Sequence, residues 1–219
     1  MLETQHASSL LVDSCIHRTF MVLEIPNRKR RITIVPADNP VRLQAVRELF
    51  KEYAASLNFN LCFQSFEEEL ARLPGEYAPW SGVLLLGLVD DQAAGCVALH
   101  RLEGEMAGAH GELFGGSDVC EMKRLFVRPE FRGCGLGREL LDSVLRCAAA
   151  IGYRRMRLDT IPTEMGRAVD MYRKLGFVEI APYRANPIAG AKYMELDLTA
   201  WPTRTETAEA TEKGRRNRG

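Results

Sequence analysis

KRLFVRPEFRGCGLGRELLDSVLRCAAAIG, residues 123–152, is the stretch on which the reading of the whole chain turns. Its opening residues are strand-like, while Leu136, Leu140, Leu141, Val144, Leu145, Ala148 and Ile151 recur at helical spacing up to Gly152, a helix stop. Between them lies Arg132-Gly133-Cys134-Gly135-Leu136-Gly137. A dinucleotide fingerprint starting at Gly133 would need glycine where Arg138 stands, and a phosphate-binding Walker loop would need Gly-Lys-Ser/Thr, which is absent. What remains is Arg132-x-x-Gly135-x-Gly137 at a strand-to-helix junction. Glycines allow successive backbone N–H groups to face one concavity, and the helix start adds unpaired donors and a positive dipole end. Such a nest suits a diphosphate, with Arg132 and Arg138 adding charge at its rim.

Outward from this junction the elements alternate. Upstream, RITIV (31–35) reads as a strand, and Asp38-Asn39-Pro40 offers a cap and a first-turn proline for a helix with Val46, Leu49, Phe50, Tyr53, Ala54 and Leu57 on its buried stripe. Ser65-x-x-Glu68 predicts a capping box for a second helix ending at Pro74-Gly75. GVLLLGLV and AAGCVALHRL, split at Asp90-Asp91-Gln92, predict a hairpin, and CEMKRLFV is the strand before the glycines. Downstream come a strand at RRMRLDT, a helix that Thr163 can cap and Gly176 ends, and strands at FVEI and AKYMELDL. The order β-α-α-β-β-β-α-β-α-β-β predicts a mixed α/β sheet protein.

The 219 residues suit one domain, and the 29 basic and 29 acidic residues balance, so no global field points to nucleic acid. Residues 1–30 are expected to form a loosely packed extension, 31–198 the domain, and 199–219 a disordered tail poor in apolar residues. The six cysteines contain no C-x-x-C pair and read as reduced interior residues, which predicts a cytoplasmic protein. No apolar run is long enough to span a bilayer, and SSLLVDSC is too short and interrupted for a signal-peptide core. His100 and His110 lack metal-ligand spacing, so no metal is expected.

Two motifs carry a family resemblance. Leu125-Phe126-Val127-Arg128-Pro129-Glu130-Phe131-Arg132-Gly133-Cys134-Gly135-Leu136-Gly137 resembles motif A of the GCN5-related N-acetyltransferases, the GNAT superfamily. Ala168-x-x-Met171-Tyr172-Arg173-Lys174-Leu175-Gly176-Phe177 is similar to its motif B. The resemblance implies a mixed, mostly antiparallel central sheet flanked by helices, with a splayed parallel strand pair forming a cleft for acetyl-CoA. The backbone of Leu125, Phe126 and Val127 would then pair with the pantetheine arm, and residues 132–138 (Arg132, Gly133, Cys134, Gly135, Leu136, Gly137 and Arg138) would hold the diphosphate. It also implies Glu121 as the base that takes the amine's proton and Tyr172 as the donor to the departing sulfur. Cys134 is read as a loop residue rather than a nucleophile, because the family transfers the acyl group directly. Met165 stands where many members carry an asparagine that contacts the cofactor.

In this fold acceptors meet the first two helices and the last hairpin, here LNFNLCFQSF and APYRANPIAGAKY. Tyr183, Arg184 and Asn186 offer hydrogen bonds and one positive charge, which suits an acceptor bearing a carboxylate. The expected activity is N-acetyl transfer from acetyl-CoA to a primary amine of a small molecule. A protein or peptide acceptor, or a non-catalytic CoA-binding regulatory module, are the alternatives. A homodimer is allowed for; nucleic acid and membrane are not expected as partners.

Overall fold

The computed structural model describes residues 30–58, 65–102, 105–106, 113–114, 118–199 and 201. Most of the expected 1–30 extension, the tail beyond Trp201, Cys15, Cys62, His110, most of LNFNLCFQSF and the side chain of Met165 lie outside the described residues.

Strand β1 (Ile32–Pro36) leads into α1 (Pro40–Ala55), where the Asn39 side chain accepts from the Arg42 N–H and Pro40 occupies the first turn, as its lack of an N–H favours. Helix α2 (Phe66–Arg72) departs from expectation. Ser65 sits in the left-handed region at φ +51° and its side chain makes no capping bond, so the predicted capping box is not formed. The hairpin of β2 (Val83–Val89) and β3 (Gln92–Arg101) turns at Asp90 and Asp91, both at positive φ. After a two-residue antiparallel ladder of Glu105–Met106 with Leu113–Phe114 come β4 (Val119–Val127) and α3 (Leu136–Ile151). Helix α3 is bounded by Gly135 and Gly152, both left-handed. Strand β5 (Arg155–Thr160), α4 (Pro162–Lys174), β6 (Val178–Ile180) and β7 (Lys192–Asp197) complete the chain. Thr163 does not cap α4: Pro162 already occupies its first position, which puts Thr163 inside the helix.

The seven strands form one sheet in the order β1-β2-β3-β4-β5-β7-β6, and only β4–β5 is parallel. One core lies between the sheet and α3 and α4, built on Leu136, Leu140, Leu141, Val144, Leu145, Val169 and Tyr172. A second packs Val46, Leu49, Phe50, Phe66 and Leu70 of α1 and α2 against the other face. Both faces of the central strands are therefore covered.

Two irregularities position the site. The β4–β5 ladder pairs only Val119 with Arg155, Cys120 with Met156 and Glu121 with Arg157. Beyond it, β4 runs on to Val127 paired with β3 alone and β5 runs on to Thr160 paired with β7 alone, so the two strands part. The second is a bulge in β4: Cys96 faces Phe126 and Ala98 faces Lys123, so three steps along β4 oppose two along β3. Arg124 takes up the difference at φ +58°. Gly95 is required beside this bulge, because a Cβ there would lie 2.5 Å from the Phe126 carbonyl oxygen.

Candidate active site

The parted strands leave the β5-facing backbone of Met122 to Val127 without a ladder partner. Backbone donors and acceptors of this kind require a ligand or water. At the C-terminal end of β4 the chain makes a 3-10 turn, Pro129–Phe131, and enters the glycine loop, where Gly133 and Gly135 sit at φ +78° and +101°. Outside the helix ladder, the first bonds of α3 are donated by Arg138 and Glu139 to the Gly135 carbonyl. The N–H groups before them carry the positive end of a 16-residue helix. A Cβ at Gly133 would meet nothing within 4 Å, so that residue is chosen for its backbone angle and not for space.

The side chains of the loop divide in two. Leu136 and Cys134 turn inward, the thiol donating to the Phe131 carbonyl oxygen at 2.9 Å. Arg132 and Arg138 are exposed; Arg132 Nε donates to the Val127 carbonyl oxygen and Arg138 Nε to Asp142. Each keeps further guanidinium donors for an anion at the loop. A backbone cradle at a helix start, two arginines at its rim and an unpaired strand edge leading into it fit a diphosphate joined to an amide-bearing arm.

Tyr172 of α4 is buried in the core shared with α3. It packs on Phe177 with ring centroids 5.5 Å apart, and its hydroxyl has no hydrogen-bond partner among the described residues. Burial, then the neighbouring Tyr53 hydroxyl and Asp159 carboxylate, push its phenol well above the ordinary value. It therefore stays protonated as a donor. Tyr53 comes from α1 and lies against Phe126 of β4, so three elements meet here.

Glu121 sits where the β4–β5 ladder ends and has no exposed surface. Its Oε1 accepts from the Tyr183 hydroxyl at 2.6 Å; its Oε2 accepts from Arg184 at 2.9 Å and meets His100 Nε2 at 3.0 Å. Burial alone would raise its carboxyl, but the His100 hydrogen bond and the charges of Arg184 and Lys123 outweigh that and hold it at about 2. Being ionised, it fixes the proton of His100 on Nε2. A carboxylate so enclosed and so acidic is better suited to take a proton through a neighbouring group or water than directly. The three loop residues expected to greet the acceptor are likewise engaged. Arg184 bridges Glu121 and Asp159, Asn186 donates to Asp159 at 2.8 Å, and the Tyr183 ring is buried against Tyr193. Two carboxylates thus lie against the Arg184 guanidinium.

Beside this cluster, on the α2 side, a cavity of about 350 Å³ is lined by Ser65, Glu68, Glu69, Arg72, Glu76, Tyr77 and Lys123, among others. His100 reaches its rim, with Nδ1 3.4 Å from Glu76 Oε2 and its ring edge-on to Tyr77. Glu69 is not free to bind an amine, because it takes Arg124 from the bulge and the Tyr77 hydroxyl at 2.6 Å. Sequence reasoning treated His100 only as a metal candidate and placed no weight on Tyr53, Glu69, Arg124 or Asp159. Most of their partners are distant in sequence, with His100 meeting Glu121 21 residues away, Asp159 meeting Arg184 25 away and Glu69 meeting Arg124 55 away, so no local spacing marks them. Among the described residues no group of three or more His, Cys, Asp or Glu is arranged to hold a metal.

Known proteins share this construction. Residues 43–177 match the family model described as the acetyltransferase (GNAT) family. An uncharacterized N-acetyltransferase of Schizosaccharomyces pombe is 36% identical over 169 residues, 77% of this chain and 96% of that protein. An uncharacterized N-acetyltransferase of Dictyostelium discoideum is 30% identical, over 67% of this chain and 89% of that one. Among solved structures, a GNAT-family acetyltransferase of Staphylococcus aureus superposes with a TM-score of 0.58 at 19% identity, over 76% of this chain and 99% of that one. YncA of Salmonella typhimurium, solved with its cofactor acetyl-CoA, gives 0.58 at 17% identity, over 78% and 96%. The structural likeness at such identities speaks for the fold, and with the family match and the two sequence relatives it leads to one conclusion: this chain belongs to the GNAT family of acetyltransferases.

Proposed function

We propose that the protein moves the acetyl group of acetyl-CoA onto a primary amine of a small molecule, by direct attack while both substrates are bound. The observation that carries this reading is the β4–β5 ladder that stops at Glu121–Arg157 and opens onto a helix start with free N–H groups. The strand edge from Leu125 to Val127 would hold the pantetheine arm, and residues 132–138 the diphosphate. Bound there, acetyl-CoA supplies an activated acyl carbon and a thiol leaving group.

The chain's own residues then have separable tasks. A backbone N–H on the open edge of β4 near the bulge would stabilise the negative charge that the acyl oxygen gains in the transition state. The Tyr172 hydroxyl hydrogen-bonds the departing sulfur. Held above its ordinary acidity range, it is a weaker acid than a thiol of pKa about 8.5, so it stabilises the thiolate without giving its proton away. The proton of the amine leaves through the Glu121–His100 pair: Glu121 supplies buried charge, and the His100 ring, 14% exposed, supplies the reachable nitrogen. The cavity next to it is of a size for a small acceptor rather than a long one.

Calorimetry with acetyl-CoA and a screen of free amino acids, polyamines, aryl amines and peptides, read by thiol release, test the reading. Turnover of free small amines is expected. Turnover confined to peptides would move the acceptor class, and tight binding without turnover would leave a CoA-binding module.

A further inference from the structure

We propose that Lys123 is a self-acetylation site: acetyl-CoA bound in the β4–β5 cleft acetylates the Lys123 amine of the same chain. This rests on the function proposed above.

Lys123 stands two residues beyond the last rung of the β4–β5 ladder and directly before the bulge at Arg124. It shares the sheet face of Glu121, half-buried, and lines the 350 Å³ cavity in which an acceptor amine would sit. Its amine is thus carried into the acceptor's place by the strand that binds the acyl donor, an arrangement that makes the encounter intramolecular. Its neighbours are all matched: Arg124 with Glu69, Arg128 with Glu52, Arg184 with Glu121 and Asp159. Among the described residues the Lys123 ammonium has no hydrogen bond or ion pair. Burial lowers its pKa, Glu121 opposes that, and Arg124 and Arg184 reinforce it, with the net direction downward. Attack on a thioester needs the neutral amine, so the shift favours the reactive form.

The step balances without a further reactant. The Nζ lone pair attacks the acyl carbon, an N–C bond forms and the C–S bond breaks, and its electron pair leaves with sulfur. The proton lost from nitrogen reaches the thiolate through solvent at the cleft, giving N-acetyl-lysine and the CoA thiol. The product is an uncharged acetamide in the cavity. It narrows the acceptor space and removes a positive charge beside Glu121, so the modification would tune which acceptors enter.

The test uses the full chain and acetyl-CoA carrying a deuterated acetyl group, following all six lysines, 29, 51, 123, 174, 192 and 213, by peptide mass spectrometry. Lys123 is expected to label at least tenfold faster than the exposed Lys51 and Lys174, at a rate independent of protein concentration. Labelling should slow in Gly135→Asp, and Lys123→Arg should lose one acetyl group from the intact mass. Labelling that follows exposure, or that slows on dilution of the protein, overturns the proposal. Calorimetry on the same sample separates the two readings: acetyl-CoA that binds while Lys123 stays unlabelled sinks self-acetylation alone, and absence of binding sinks both.

Discussion

The Tyr183 hydroxyl donates to Glu121 Oε1 at 2.6 Å across 62 residues of sequence, and both side chains are buried. This bond ties the loop between β6 and β7 to the strand where the sheet opens, so the last hairpin helps set the position of β4.

Removing the charge at its centre should be costly. Glu121→Gln leaves Arg184 beside Asp159 alone and is expected to lower stability by about 3 kcal/mol, the lower end of the range for breaking a buried pair because the amide keeps an acceptor. The carboxyl is depressed from 4.5 to about 2, so its contribution is complete above pH 4.5 and is lost as pH falls from there through about 2. Glu69, also lowered, adds to the same limb. Denaturant unfolding across that window should show a steep acid limb in the native protein and a shallower one in the variant. Equal slopes would mean that Glu121 is not held ionised.

Tyr172→Phe keeps the ring on Phe177 and removes a hydroxyl that has no hydrogen-bond partner among the described residues. Folding and acetyl-CoA affinity should persist while kcat falls by roughly ten- to a thousandfold. Stopped-flow turnover beside a thermal melt checks both. A wild-type rate in the Phe variant, with loss of fold in Tyr172→Ala, would reduce Tyr172 to a packing residue.

Gly135→Asp places a side chain on a residue at φ +101° and a negative charge at the helix start. CoA affinity measured by calorimetry should drop at least tenfold, whereas free-amine binding should not change. Unaltered affinity would remove the loop from the diphosphate site.

Gly95→Ala tests the bulge. The added methyl would meet the Phe126 carbonyl oxygen at 2.5 Å and the side chains of Leu140 and Leu136 at 3.2 and 3.3 Å. Overpacking of this kind costs about 1–3 kcal/mol, and the carbonyl can give way only by moving β4. A raised KM for acetyl-CoA accompanying a lowered Tm is the expected pairing; a lowered Tm with unchanged KM would confine the bulge to a structural part.

Hydrophobic period and turn residues were enough to read the order of the main elements, because β1 to β3, α1, α3 and α4 each carry a clear local pattern. CEMKRLFV resisted in a specific way. Glu121 and Lys123 alternate correctly with Met122 but face a covered side of the sheet, where Glu121 is tolerated only because Tyr183, Arg184 and His100 arrive from other segments. The bulge was equally hidden, since its left-handed residue is Arg124 and not the glycine such a position would advertise. Ser65 shows the converse: a sequence with the right capping letters whose backbone angle forbids the cap.

The early end of the β4–β5 ladder gives the sheet an interior edge, the kind of surface that elsewhere invites a second polypeptide to dock and aggregate. Here the edge lies between two strands whose outer sides are already paired, β4 with β3 and β5 with β7, so only what enters between them can use it. On the proposed reading the acyl donor is what enters. On that reading the opening which would otherwise be a liability is occupied by the cosubstrate's own amides.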